Sequence, residues 1–193
     1  YEQSLAIRRE VGDRSGEGRS LNNLGLVYNA LGPKQEALRH YEQALIIRRE
    51  VGDRSGEGVT LNNLGRVYRA LGQKQEALRY YEQALTIRRE VGDRSGEGTT
   101  LNNLGLVYNT LGQKQEALGY YEQSLAIRRE VGDRGGEGTT LLNIGVLAYA
   151  VARYNVALAC FLLARSIFEE VERPDRDKVQ KRIDGLRSSI GDE

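Results

Sequence analysis

The stretch LNNLGLVYNALGPKQEALRHYEQAL, residues 21–45, decides the fold. Leu21, Leu24, Tyr28 and Leu31 follow one another at steps of three and four residues, which line one face of a helix with 3.6 residues per turn. Gly32 and Pro33 then break the run, glycine accepting the left-handed backbone that ends a helix. From Lys34 to about Val51 a second run puts Ala37, Leu38, Tyr41, Ala44 and Leu45 on one side. The segment is therefore a pair of amphipathic helices joined by a tight turn.

Sliding the chain over itself by 40 residues superposes Val11–Glu50, Val51–Glu90 and Val91–Glu130 with most positions identical. Self-similarity at such a period marks a solenoid, in which each unit buries its apolar face against its neighbours. The expected organisation is a single array over residues 1–193. Residues 1–11 form a partial repeat, its second helix only, and 12–51, 52–91 and 92–131 are full repeats. Residues 132–171 make a divergent fourth repeat, and 174–190 a capping helix. In the cap, Pro174 opens the helix and Val179, Ile183, Leu186 and Ile190 form one apolar stripe. The fourth repeat carries Ala148 where the others have Tyr28, Tyr68 and Tyr108, with Tyr149 beside it.

The repeats are linked by GDRSGEG at 12–18, 52–58 and 92–98 and by GDRGGEG at 132–138. Three glycines ahead of a helix invite a phosphate-loop reading, which fails. The residue five after Gly12 is Glu17 rather than glycine, no lysine follows, and no apolar strand leads in. A connector is the better reading: Gly12 stops one helix and Asp13 caps the next. Gly16 and Gly18 fall in the first turn, where each costs up to about 1 kcal/mol relative to alanine. That cost marks them as expected soft joints between repeats.

Composition narrows the function classes. An apolar content of 39% with 28% charged residues belongs to a folded chain, and no apolar run approaches the roughly 18 residues of a membrane span. Lysine and arginine total 28 against 27 acidic residues, so no global field gathers nucleic acid or an anionic membrane. The pairs Arg8/Arg9, Arg48/Arg49, Arg88/Arg89 and Arg128/Arg129 could track a polyanion, but Glu10, Asp13, Glu17 and their equivalents cancel much of that field. Cys160 stands alone, which fits a reducing, cytoplasmic setting. His40 is the only histidine, and its equivalents are Tyr80, Tyr120 and Cys160, which reads as packing. No metal site, cofactor or catalytic group is expected, so the chain is not read as an enzyme.

The residues Leu21, Leu24, Gly25, Tyr28, Ala37, Tyr41 and Ala44 resemble the tetratricopeptide repeat pattern. It recurs as Leu61, Leu64, Gly65, Tyr68, Ala77, Tyr81 and Ala84, and as Leu101, Leu104, Gly105, Tyr108, Ala117, Tyr121 and Ser124. The proline that the family places late in its second helix is replaced by Arg49, Arg89 and Arg129, so that helix runs on. This longer form is similar to arrays of spindle-orientation adaptors of the Pins type and to sensor regions of bacterial NB-ARC signalling ATPases. The resemblance implies an all-α, right-handed superhelix of helix-turn-helix repeats whose first helices line a concave peptide-binding groove.

Differences between copies place the candidate site. In the first helices they fall at 19, 20, 26, 29 and 30 and their equivalents, mostly on one face beside the core stripe. That face carries Arg19, Leu26, Asn29, Arg66, Arg69, Leu106 and Asn109, together with a constant ladder of Asn22, Asn23, Asn62, Asn63, Asn102, Asn103 and Asn143. Asparagine both donates and accepts, so the ladder suits the backbone of a bound chain, and the arginines favour acidic side chains on it. The same asparagines could equally bridge neighbouring repeats. The expected partner is an acidic protein or peptide segment, with no membrane or nucleic acid. The alternative is a homo-oligomer formed through the N-terminal end, by Tyr1, Leu5 and their neighbours.

Overall fold

The structure is a computed structural model that describes the backbone of residues 1–191 and the side chains of residues 1–188. Ten helices follow in chain order: α1 (Glu2–Glu10), α2 (Arg14–Leu31), α3 (Lys34–Glu50), α4 (Arg54–Ala70), α5 (Lys74–Glu90), α6 (Arg94–Thr110), α7 (Lys114–Glu130), α8 (Arg134–Ala150), α9 (Tyr154–Glu170) and α10 (Asp175–Gly191). No strand occurs among the described residues. The helix-turn-helix solenoid class read from the repeat is the one found. Packing divides the chain into two compact units, Tyr1–Gly96 and Glu97–Glu193.

In the first unit α1 lies on α2, α2 pairs with α3, α3 meets α4, and α4 pairs with α5. Leu5, Leu21, Leu24, Ala44 and Ile47 form one apolar cluster. Tyr41, Leu45, Leu61, Leu64, Val67 and Ile87 belong to the next. Leu5 is thus covered within the unit, which removes it from the open N-terminal face expected for it. Burying each such side chain contributes roughly 1.5–3 kcal/mol. The glycine of each first helix makes that burial possible. A Cβ on Gly65 would sit 2.6 Å from Cε1 of Tyr81, and one on Gly25 would sit 2.7 Å from Cδ1 of Tyr41. Both rings are fully buried, so each lies flat against a backbone that carries no side chain there.

In the second unit α7 packs on α8, α8 pairs with α9, and α10 covers α9. Val179, Ile183 and Leu186 are buried on Phe161, Ile167 and Phe168, so the last helix does cap the apolar face of the fourth repeat. The side chain of Ile190, expected to complete that stripe, lies outside the described side chains.

The turns explain the glycine periodicity. Gly12, Gly52, Gly92 and Gly132 have φ of 70 to 71°, and each ends a second helix. In the fourth repeat Ala152 (φ 56°) stands where Gly32, Gly72 and Gly112 stand earlier, and Glu172 (φ 53°) stands where Gly12 does. Left-handed backbone costs a residue with a Cβ roughly 1–2 kcal/mol, so the divergent repeat carries strain that the others avoid.

Within GDRSGEG the side chain of Asp13 accepts the Gly16 N–H at 2.8 Å, the expected cap, repeated by Asp53 on Gly56 at 2.9 Å. The soft-joint expectation is corrected. A Cβ on Gly56 would collide with the Arg48 guanidinium and the Asp53 carboxylate, and one on Gly58 would lie 3.2 Å from Cγ2 of Ile87. These glycines serve close approach, and the joint is tightly packed.

Candidate functional site

The exposed face of each first helix follows from the repeat: leucines and glycine turn inward, and the variable positions flank them. In the first unit Arg19, Arg66 and Arg69 are exposed and Leu26 is 38% exposed. Asn23 is half-buried. Asn29 is held locally, its side-chain oxygen accepting from Lys34 Nζ at 2.9 Å and its carbonyl oxygen from the same ammonium at 2.5 Å. In the second unit Leu106, Asn103 and Asn143 are half-buried, and Asn109 Oδ1 accepts from Lys114 Nζ at 2.6 Å.

The inner asparagines lie deeper. Asn22, Asn62 and Asn102 are 5–6% exposed, and Asn63 is 7% exposed. Asn22 Oδ1 accepts from Asn63 Nδ2 at 3.2 Å and from Thr60 Oγ1 at 3.3 Å. In the second unit Asn102 Oδ1 accepts from Asn143 Nδ2 at 2.9 Å and from Thr140 Oγ1 at 3.4 Å. The pairing assigned in sequence to a ligand backbone is, at Asn22 and Asn102, made to the following repeat. A buried amide without a partner costs about 1–3 kcal/mol, so each of these bonds fixes the register of one repeat on the next.

Burial pushes the Tyr41 hydroxyl up to about 12, with the Arg66 charge acting in the opposite direction. That hydroxyl has no hydrogen-bond partner.

Arg9, Arg49 and Arg129, the second residues of three arginine pairs, are each committed to a carboxylate that composition could not reveal. Glu17, Glu57 and Glu137 are 4–6% exposed. Arg9 Nε donates to Glu17 at 2.8 Å and Arg14 Nη1 at 2.6 Å, while Arg14 also pairs with Glu50. Arg49 and Arg54 clasp Glu57 at 2.7 and 2.6 Å, and Arg129 and Arg134 clasp Glu137 at 2.8 and 2.5 Å. Burial raises the Glu17 carboxyl, but hydrogen bonds from Arg9 and Arg14 outweigh it and hold the group below its ordinary range. The first arginines are spent too, Arg48 on Asp53 at 3.3 Å and Arg128 on Asp133 at 2.5 Å. The polyanion track is thereby neutralised. The signal for these clamps was the strict spacing of eight between Arg9 and Glu17 and between Arg49 and Glu57.

His40 is buried and stacks on Tyr28, ring centroids 5.1 Å apart. Burial, and then the Arg39 charge, push its imidazole down, so it packs as a neutral ring. Burial raises the Cys160 thiol, away from a reactive thiolate. Among the described residues no group of histidine, cysteine and carboxylate side chains could hold a metal ion, and no helix is long and apolar enough to cross a membrane.

Comparison with known proteins gives the same architecture. BtubC (BKLC) from P. vanneervenii superposes with a TM-score of 0.86 at 20% identity, over 99% of this chain and 82% of that one. A Podosopora anserina protein described as a kinesin light chain with nearly identical TPR-like repeats gives 0.72 at 23%, over 91% and 87%. A Rap protein complexed with competence and sporulation factor gives 0.79 at 18%, over 93% of this chain and 50% of that one. No curated protein matches in sequence. The tetratricopeptide repeat profile matches residues 1–50, 20–90, 57–130 and 96–170, nearly the whole length, and with the helix pairs, the glycine–tyrosine contacts and the 40-residue period it places this chain in the tetratricopeptide repeat family.

Proposed function

We propose that this chain is a non-catalytic scaffold that binds a segment of another polypeptide along the outward face of its first helices, as the sensor or adaptor part of a larger protein. The observation that carries the reading is the exposure of Arg19, Leu26, Arg66 and Arg69. They lie where the copies differ, in an array whose remaining positions are nearly constant. The solved Rap protein with its bound factor supports it as a similar fold carrying a ligand. Half-buried Asn23 and Asn103 offer polar contacts on the same helix faces, whereas Asn22, Asn63 and Asn102 serve the stack. The arginines favour acidic side chains on the ligand.

Selection of random displayed peptides on the wild-type protein tests this. Enrichment of acidic sequences is expected, and its loss in Arg66→Glu/Arg69→Glu with helical content unchanged. Equal enrichment by that variant, or none of acidic sequences by the wild type, refutes the reading.

A second reading rests on Tyr1, Ile7 and Val11, exposed at 64%, 59% and 71% on α1 and its end. Self-association through them predicts a sedimentation coefficient that rises with concentration, and a constant monomer value removes it.

A further inference from the structure

The first three full repeats each fill one position with an aromatic ring. Tyr28 stacks on His40, Tyr68 on Tyr80 and Tyr108 on Tyr120, with centroids 5.0–5.1 Å apart. In the fourth repeat the equivalent residues are Ala148 and Cys160, and the stack is gone. Tyr149, one residue on, cannot replace it: the helix turns it outward, where it is 47% exposed against Tyr154.

What these rings touch defines what is missing. Tyr68 packs against the core cluster that holds Leu38, Leu64 and Val67. The Tyr28 hydroxyl points at Glu2 of the preceding second helix, Oη to Oε1 3.4 Å. The residues equivalent to Glu2 are Glu42, Glu82 and Glu122. At the fourth repeat the walls remain without the ring. Leu118, Ile144, Leu147 and Ala148 line an open hollow of about 500 Å³ within the second unit, with the charged Lys114, Glu122 and Arg153 also on its wall. That volume is in the roughly 300–1,000 Å³ range of ligand pockets, and an apolar hollow with few polar groups is the usual form of one. Ile144, Leu147 and Ala148 are 8%, 4% and 6% exposed, so the floor is preformed by core residues.

We propose that this cavity is a socket for a tyrosine side chain presented by a partner polypeptide, its ring replacing the one lost at Ala148 and its hydroxyl donating to the Glu122 carboxylate. The chemistry is that of a flat apolar body with one donor at its tip, which the other repeats supply from within. A purely apolar ring would fill the hollow without the hydroxyl contact to Glu122, whose carboxylate is exposed to solvent. The socket uses none of the residues assigned to the exposed arginine face, so the two readings succeed or fail separately.

Titration of isotopically labelled protein with N-acetyl-L-tyrosinamide tests the socket by amide chemical-shift mapping. Saturable shifts are expected at Leu118, Glu122, Ile144 and Ala148. N-acetyl-L-phenylalaninamide should bind roughly two- to tenfold more weakly, the range of a typical net hydrogen bond. Ala148→Tyr, which restores the residue of the other repeats, should fold and lose the tyrosinamide shifts. Glu122→Leu should erase the preference for the hydroxyl while retaining weak binding of both rings. Shifts that persist in a folded Ala148→Tyr variant, equal binding of the two amides by the wild type, or no saturable shift at these residues would overturn the proposal.

Discussion

Replacing one helical glycine by alanine should destabilise this protein, and replacing another should stabilise it. Gly65 lies in α4 over the fully buried Tyr81, where a Cβ would fall 2.6 Å from Cε1, 2.7 Å from Cδ1 and 3.0 Å from Cγ. The obstacle is the side of a ring inside the core, which cannot swing into solvent as a flexible side chain could. Overpacking of this kind costs roughly 1–3 kcal/mol, with strain at the upper end where neighbours cannot move. Alanine returns about 1 kcal/mol of helix propensity, so the net loss for Gly65→Ala is about 1–2 kcal/mol. At Gly119, inside α7, nothing lies within 4 Å of the added carbon, so the propensity gain stands alone. Thermal melts followed by circular dichroism should move in opposite directions. A shift of roughly 2–4 °C per kcal/mol is expected for a chain of this length if it unfolds as one transition. The double variant Gly65→Ala/Tyr81→Leu should recover part of the loss relative to Tyr81→Leu alone, because the shorter side chain leaves room. A midpoint that rises for Gly65→Ala as it does for Gly119→Ala would refute the close-approach argument.

Glu57→Gln should destabilise the array by about 1–3 kcal/mol, the cost of weakening charge-assisted bonds at a buried acceptor, with Arg49 and Arg54 turning to solvent; a chemical-denaturation midpoint within error of wild type would exclude the clamp. Because the folded-state value of Glu17 is depressed, its stabilisation is complete above the ordinary carboxylate range and is lost as pH falls through the lower folded value. Glu17→Gln should therefore show a shallower acid loss of stability than wild type in melts below about pH 4, the ordinary carboxylate range. Ala152→Gly and Glu172→Gly should each raise the melting midpoint by up to about 1 kcal/mol of stability by relieving left-handed strain, whereas Gly72→Ala should lower it. Asp53→Ala should cost about 1 kcal/mol through loss of the cap on Gly56, measured by the same melts.

The helices were legible because apolar residues keep their period and because Gly32, Gly72 and Gly112 punctuate it. The observed α3, Lys34–Glu50, ends one residue short of its expected end at Val51. What escaped was the destination of polar groups whose partners lie in other helices. Asn22 reads identically whether it meets a peptide or Asn63, since a contact between positions 41 apart is invisible to periodicity. Glu17 looked like one more solvated charge until Arg9 and Arg14 closed over it. Gly16 and Gly18 carried a correct cost and a mistaken purpose: their lack of bulk is needed by Arg8 and Ile47, which local propensity does not register. The exchange of Tyr for Ala148 was plain in the sequence, while the hollow beside it required the walls to be seen.

The arginine–carboxylate clamp has a consequence for how such a protein changes length. Arg9, Glu17, Arg14 and Glu50 recur as Arg49, Glu57, Arg54 and Glu90, with each unit presenting at its end the partners that the next unit needs at its start. Duplicating or deleting one block of 40 codons within the gene would rejoin identical halves and leave no carboxylate unmet. Near-perfect copies are then the expected residue of recent, structurally silent recombination, and related proteins should differ by whole repeats far more often than by insertions within one.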